Sequence, residues 1–236
     1  DSEAILGEIL GESGKGRKVM VGVERLDYTK GILVRLEAFK IFLKEHPERE
    51  EQVTFIQIAA PSREIVKEYM DLKDKIQTLV DEINKTYETA TWKPVMYFNV
   101  SVNRNALPEI YRTSNVGVVT PLVDGMNLVA KEYVAAQESE DPGILVLSRG
   151  AGAAYQLREA LLVPPADPVV IAEAYESALS MGLEERQTRQ AALYSNVTTE
   201  DQGWWQGAFL EELSSVPRAS AADAQREVTE KASTAS

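Results

Sequence analysis

Residues able to hold an anion together with hydroxyl groups fall in two stretches of this sequence. The first is Thr120-Pro-Leu-Val-Asp-Gly-Met-Asn-Leu-Val-Ala-Lys-Glu132. It follows the apolar run Val116-Gly-Val-Val119 and leads into a helical pattern, which puts Asp124, Asn127 and Glu132 around a helix start. The first N–H groups of a helix lack internal partners and carry the positive end of its dipole, so they suit a phosphate. A carboxylate and an amide nearby suit sugar hydroxyls. By itself the stretch reads as an ordinary strand-to-helix turn in which Asp124 caps the helix. The second stretch, Glu24-Arg-Leu-Asp-Tyr-Thr-Lys-Gly31, changes the balance because it adds two cations, Arg25 and Lys30. A third cation, Arg63, follows the apolar run Val53-Thr-Phe-Ile-Gln-Ile-Ala59 and the turn Ala60-Pro-Ser. A cation in a first helical turn opposes the dipole, and an anion bound there would account for it.

These groups need elements that bring them to one edge. Lys18-Val-Met-Val-Gly-Val23 is a continuous apolar run of strand length, as a strand covered on both faces requires. After it Ile32, Leu36, Phe39 and Leu43 recur at helical spacing. The run at 53–59 is a second strand, with a helix expected from Arg63 to about Asn84. Pro94–Val100 gives a third strand, 105–114 a short helix, 116–119 a fourth strand, and Gly125 or Met126 to Gln137 a further helix. Gly143-Ile-Leu-Val-Leu-Ser148 is the fifth strand, and Leu161-Leu-Val163 an edge strand. Helical patterns follow from Pro168 to about Tyr194 and from Gln202 to Leu213. Strands alternating with helices imply an α/β fold with a doubly wound parallel sheet. In such sheets ligands bind beyond the carboxyl ends of the strands, where Arg25, Lys30 and Asp124 fall. Residues 1–17 read as an acidic, glycine-rich lead-in loop. Gly14-Lys-Gly16 fails the P-loop spacing, since Gly16 stands where Ser or Thr is required.

Composition narrows the chemistry. A net charge of −12 over 236 residues provides no basic field for nucleic acid or an anionic membrane, so local cations must hold any phosphate. The chain has no cysteine, which excludes disulfides and thiolate metal sites and supports a cytoplasmic setting. A single histidine, His46, makes a histidine metal cluster or a Ser-His-Asp triad improbable; it reads as an exposed partner for a helix C-terminus. No apolar run reaches the ~20 residues that span a bilayer.

Taken together, Val21-Gly-Val-Glu-Arg-Leu-Asp-Tyr-Thr-Lys-Gly31, Gln57-Ile-Ala-Ala-Pro-Ser-Arg63, Thr120–Gln137 and Gly143–Ser148 with Ala151-Gly-Ala-Ala154 closely resemble the trehalose-6-phosphate synthase family. The resemblance runs from about Lys18 to Leu213 with the motifs in family order. It implies a retaining, metal-independent glycosyltransferase that moves glucose from UDP-glucose to glucose-6-phosphate. It further implies a fold of two Rossmann-like domains, of which this chain matches the C-terminal, donor-binding one. By motif position Arg25 and Lys30 bind the donor diphosphate, and Asp124 binds glucose hydroxyls. Gly125, Met126, Asn127, Leu128 and Val129 line the donor, with the backbone N–H groups of 127–129 on the phosphates. Glu132 accepts from the ribose, Leu107 lies near the nucleotide, Ile58 beside the uracil, and Arg63 on the phosphate of glucose-6-phosphate. Arg25, Lys30 and Asp124 then form the catalytic set, and no cofactor or metal is expected, consistent with the lack of an Asp-x-Asp pair.

The same resemblance marks out a nucleotide-sugar-binding domain at 1–200 and a helix at 201–216 that crosses to the missing N-terminal domain; after Pro217 the chain is Ala, Ser and charged residues with almost no large apolar side chain, which reads as a disordered tail at 217–236. The crossing would explain the apolar surface of Trp204, Trp205 and Phe209. A homo-oligomer remains open; nucleic acid and membrane are not expected partners. Val123 occupies a position where the family pattern has arginine, which removes one charged contact. Two alternatives stand beside the first reading: a relative with another acceptor, such as a glucosylglycerol-phosphate synthase, and a non-catalytic nucleotide-sugar-binding subunit.

Overall fold

A computed structural model describes residues 2–63, 65–200 and 202–215. The tail expected to be disordered, 217–236, lies outside the described residues. The elements run α1 (Ser2–Gly14), β1 (Lys18–Arg25), α2 (Ile32–Glu45), β2 (Val53–Ala60), α3 (Lys67–Tyr87), β3 (Val95–Phe98), α4 (Leu107–Arg112), β4 (Val116–Val119), α5 (Leu128–Ala136), β5 (Ile144–Ser148), β6 (Leu161–Val163), α6 (Pro168–Ser180), α7 (Leu183–Thr199) and α8 (Gln202–Ser215). The six strands form one parallel sheet in the order β3-β2-β1-β4-β5-β6. The sheet is doubly wound, as the alternation of elements predicts.

The apolar strands are apolar because both faces are covered. Leu36, Phe39, Phe42, Leu72, Ile76, Ile171 and Tyr175 of α2, α3 and α6 pack with Met20, Phe55 and Val118 on one face. Ile5, Ile9, Ile110, Tyr111, Ala130 and Tyr133 of α1, α4 and α5 pack with Val19, Val21, Ile56 and Leu147 on the other. The strand order reverses between β1 and β4. There β1 pairs with β2 along its length, from Lys18↔Val53 to Arg25↔Ala60, but with β4 only through Met20↔Val116 and Val21↔Gly117. Beyond Val21 the two strands lose each other, which opens a crevice at their carboxyl ends.

Four sequence expectations need correction. Residues 1–17 are not a loop: Ser2–Gly14 is a helix whose Ile5 and Ile9 are buried. The four-residue spacing of those two isoleucines outweighs three glycines, and Glu12 anchors the helix end through hydrogen bonds from Arg17 (2.9 Å), Lys15 (2.7 Å) and Thr54 (3.1 Å). Arg63 does not sit in the first turn of a helix. It has φ 48°, and the helix begins at Lys67. Helix α5 begins at Leu128, capped by Asn127 and not by Asp124. His46 is partly covered, its ring tilted against Phe42 with centroids 5.4 Å apart and its Nδ1 3.0 Å from Glu48.

Contacts divide the chain after Val197 into two units. Within the second, α8 leaves Trp204, Trp205, Phe209, Leu210 and Leu213 exposed, with Trp205 and Phe209 stacked at 5.3 Å. Among the described residues no helix is long and apolar enough to cross a membrane.

Candidate functional site

Two loops meet at the crevice between β1 and β4. The first, after β1, is fixed by Asp27, whose carboxylate accepts from the N–H (2.9 Å) and hydroxyl (2.7 Å) of Thr29 and starts a single 3-10 turn ending at Lys30. The loop then needs a left-handed residue, supplied by Gly31 at φ 67°. A Cβ there would lie 2.2 Å from the Thr120 carbonyl oxygen, so the close approach of the two loops itself requires glycine. Leu122 N–H donates to Thr29 O at 2.7 Å and completes the stitch.

The second loop, after β4, is held from its other side by the segment following β5. Asp124 N–H donates to Gly150 O (2.9 Å) and Gly152 N–H to Asp124 O (2.9 Å). Cβ atoms at Gly150 and Gly152 would meet the Leu122 and Gly125 carbonyls at 2.4 and 2.1 Å, which explains the small residues there.

The clamped loops bring Lys30 and Asp124 together as an ion pair of 2.5 Å, each side chain 16% exposed. Asp124 also accepts from the Asn127 side-chain amide at 3.1 Å and from the Met126 N–H at 3.4 Å. Asn127, left-handed at φ 73°, caps α5 by accepting from Ala130 N–H at 3.1 Å. The geometry of a helix start leaves the N–H groups of Leu128 and Val129 without partners inside the helix. Glu132 follows one turn later, partly exposed. The crevice thus offers a cation, a helix N-terminus and two carboxylates, a set able to bind an anion bearing hydroxyl groups.

The other expected residues are placed as follows. Arg25 is the last residue of β1 and is exposed at the same edge. Leu107 opens α4 and lines a cavity of about 270 Å³ with Arg104, Pro108, Tyr111, Glu132, Ala135 and Ala136. Gly125 and Leu128 are exposed, Met126 and Val129 partly so. Ile58 is 1% exposed, backbone included, and packs inside the core between two paired strands. Arg63 donates to the Tyr69 hydroxyl at 3.2 Å with its guanidinium 5.5 Å from that ring, and Tyr69 donates to Asp27 at 3.1 Å. Arg63 is therefore tied through Tyr69 to the loop that carries Lys30. Burial works to raise the Asp27 carboxyl, but its hydrogen bonds from Thr29 and Tyr69 outweigh this and hold it below its ordinary value.

The network beneath the crevice leaves no mark in the residue pattern. Arg35 of α2 is 1% exposed. It is paired with Glu24 and donates to Thr120 Oγ1 (3.1 Å), Val118 O (3.2 Å) and Lys30 O (2.8 Å). Gln57 donates to Glu24 at 3.0 Å. Burial pushes the Glu24 carboxyl up, against the pull of Arg35 and Gln57. One guanidinium therefore joins β1, β4 and the turn at Lys30. Only its position in the fold could have marked it, since a lone arginine in a helix reads as a surface residue.

Among the described residues one group of potential metal ligands stands apart from the crevice: His46, Glu48 and Glu176, with ligand atoms within 4.8 Å of one another. Glu176 is already engaged by Arg49 through two hydrogen bonds of 2.6 and 2.9 Å, so its charge is met without a metal ion.

Comparison with known proteins adds to this geometry. The family model for glycosyltransferase family 20 matches residues 6–215. A trehalose-6-phosphate synthase of Cronobacter sakazakii is 44% identical over 212 residues, covering 89% of this chain and 45% of the relative. An E. coli structure solved with UDP-2-fluoro glucose bound superposes with a TM-score of 0.83 at 37% identity, over 92% of this chain and 50% of that one. A UDP-forming alpha,alpha-trehalose-phosphate synthase from Burkholderia xenovorans, in complex with glucose-6-phosphate, gives 0.84 at 39% identity, over 89% and 46%. The chain spans about half the length of the relatives it matches.

Proposed function

The chain belongs to glycosyltransferase family 20, and from that premise we propose that it is the donor-binding half of a retaining glucosyltransferase. The reaction is transfer of glucose from UDP-glucose to glucose-6-phosphate, giving trehalose-6-phosphate and UDP. The observation that carries the reading is the meeting of Lys30, Asp124 and the α5 start at the point where the strand order reverses. Relatives bound to a UDP-sugar and to glucose-6-phosphate support the choice of substrates.

In this reading Arg25, Lys30 and the N–H groups of Asn127, Leu128 and Val129 hold the diphosphate and offset the charge that grows on it as the bond to glucose breaks. They supply what a metal would otherwise do, so no metal or cofactor is required. Asp124, oriented by Lys30 and Asn127, takes glucose hydroxyls. Glu132 takes ribose hydroxyls from a rigid helix. Arg63 meets the acceptor phosphate, and its tie through Tyr69 to Asp27 keeps it in register with Lys30. With no protein nucleophile assigned, the catalysis is positioning and charge stabilisation. A second domain completes the acceptor pocket, and the exposed face of Trp204, Trp205 and Phe209 is the surface that reaches it. The setting is cytoplasmic.

Titrating this chain with UDP in a calorimeter tests the reading. Binding is expected, with at least a tenfold loss in Lys30→Ala, of the order of one charge-assisted hydrogen bond. Absence of UDP binding, or an unchanged affinity in Lys30→Ala, would overturn it. Turnover by this chain alone would refute the half-enzyme claim.

A further inference from the structure

Tyr111 on α4 departs, as Tyr97 does, from a rule that Tyr133 and Tyr175 keep. Buried hydroxyls normally find a partner. Tyr133, packed edge-on against it with ring centroids 6.1 Å apart, donates to Ser114 O at 3.1 Å, and Tyr175 donates to Arg35 O at 3.2 Å. Tyr111 is 2% exposed, yet its hydroxyl has no hydrogen-bond partner among the described residues. A buried hydroxyl left unpaired costs about 1–3 kcal/mol. A phenylalanine would fill the same space without that cost.

Tyr111 lines the cavity between α4 and α5, together with Leu107, Arg104 and Glu132. At about 270 Å³ the cavity is close to the lower end of small-ligand pockets, about 300 Å³. Burial pushes the Tyr111 hydroxyl well above its ordinary value, and the charges of Glu132 and Glu24 push it further. It therefore stays a protonated donor, within the fields of one carboxylate on α5 and another at the crevice.

We propose that Tyr111 is a nucleoside-recognition residue, whose hydroxyl donates a hydrogen bond to an oxygen of the nucleoside when the diphosphate lies on the α5 start. The inference rests on the donor-site reading above, and extends it to a residue with no other assigned role. Glu132 can only accept while ionised and Tyr111 is kept as a donor, so the pair reads a group able to give and take hydrogen bonds.

The test is Tyr111→Phe, which removes one oxygen and no packing volume. Affinities for UDP and for inorganic pyrophosphate are measured by calorimetry, with the thermal midpoint of the ligand-free protein. The expected result is UDP binding about five- to tenfold weaker, the worth of about one hydrogen bond. Pyrophosphate binding is unchanged, and the midpoint is equal or higher, since an unpaired hydroxyl has gone. Unchanged UDP affinity, or an equal loss for both ligands, would overturn the role of Tyr111 while leaving the donor site intact. Failure of the unaltered chain to bind UDP would overturn the donor-site reading and this one with it.

Discussion

Replacing Arg35 with alanine should damage this protein more than any change at its surface. The side chain is 1% exposed and reaches Glu24, Thr120, Val118 and Lys30 at once. Truncation leaves the Glu24 carboxyl, itself 6% exposed, buried without its counter-charge. Breaking a buried pair in that way costs about 3–5 kcal/mol. For a chain of this size about 2–4 °C is lost per kcal/mol, so the thermal midpoint should fall by roughly 6–20 °C. Removing both charges in Arg35→Met with Glu24→Met should recover part of the loss, because the desolvation of Glu24 disappears with its charge. Thermal and urea unfolding of the two variants decide the matter. A fall of under about 1 kcal/mol in Arg35→Ala, typical of a surface ion pair, would refute the reasoning. So would a double variant less stable than Arg35→Ala alone.

Two other variants probe the local devices. Asn127→Ala removes the α5 cap and places alanine at φ 73°, so it should cost about 1–2 kcal/mol for the cap and a similar amount for the left-handed backbone. Asn127→Gly keeps the backbone and should cost only a few tenths in urea unfolding. At Glu12, burial works to raise the carboxyl, but bonds from Lys15, Arg17 and Thr54 outweigh it and hold the group below its ordinary 4.5. Its folded value lies below its unfolded one, so its stabilisation is complete above about pH 4.5 and is lost as pH falls through the folded value. The midpoint of Glu12→Gln should accordingly be lower at neutral pH and vary less below pH 4.5 than that of the unaltered chain.

Much of the fold is legible because a parallel sheet writes itself as uninterrupted apolar runs. Val19–Val23, Val53–Ala59 and Ile144–Leu147 admit little else. The carboxyl-edge position of Lys30 and Asp124 follows from those runs and the turns after them. What stayed hidden depends on packing between distant segments. Helix α1 was obscured by Gly7, Gly11 and Gly14, each with open space where a Cβ would stand, so the glycines lower propensity without marking a turn. Arg35 looks like any helical cation until Glu24 is seen beneath it. Tyr111 sits at core spacing from Leu107, and sequence cannot show that its hydroxyl lacks a partner. Arg63 reads as a helical residue because Pro61 and Ser62 suit a helix start, whereas the backbone turns left-handed there and delays the helix to Lys67.

The central claim is that the crevice between β1 and β4 receives the nucleotide. Hydrogen exchange of this chain with and without saturating UDP addresses it most directly. The account predicts slowed exchange at the amides of Asn127, Leu128 and Val129 and in the loop from Leu26 to Gly31, with no change around His46 and Glu176. Protection confined to segments away from those two loops, or none at all under saturation, would contradict it.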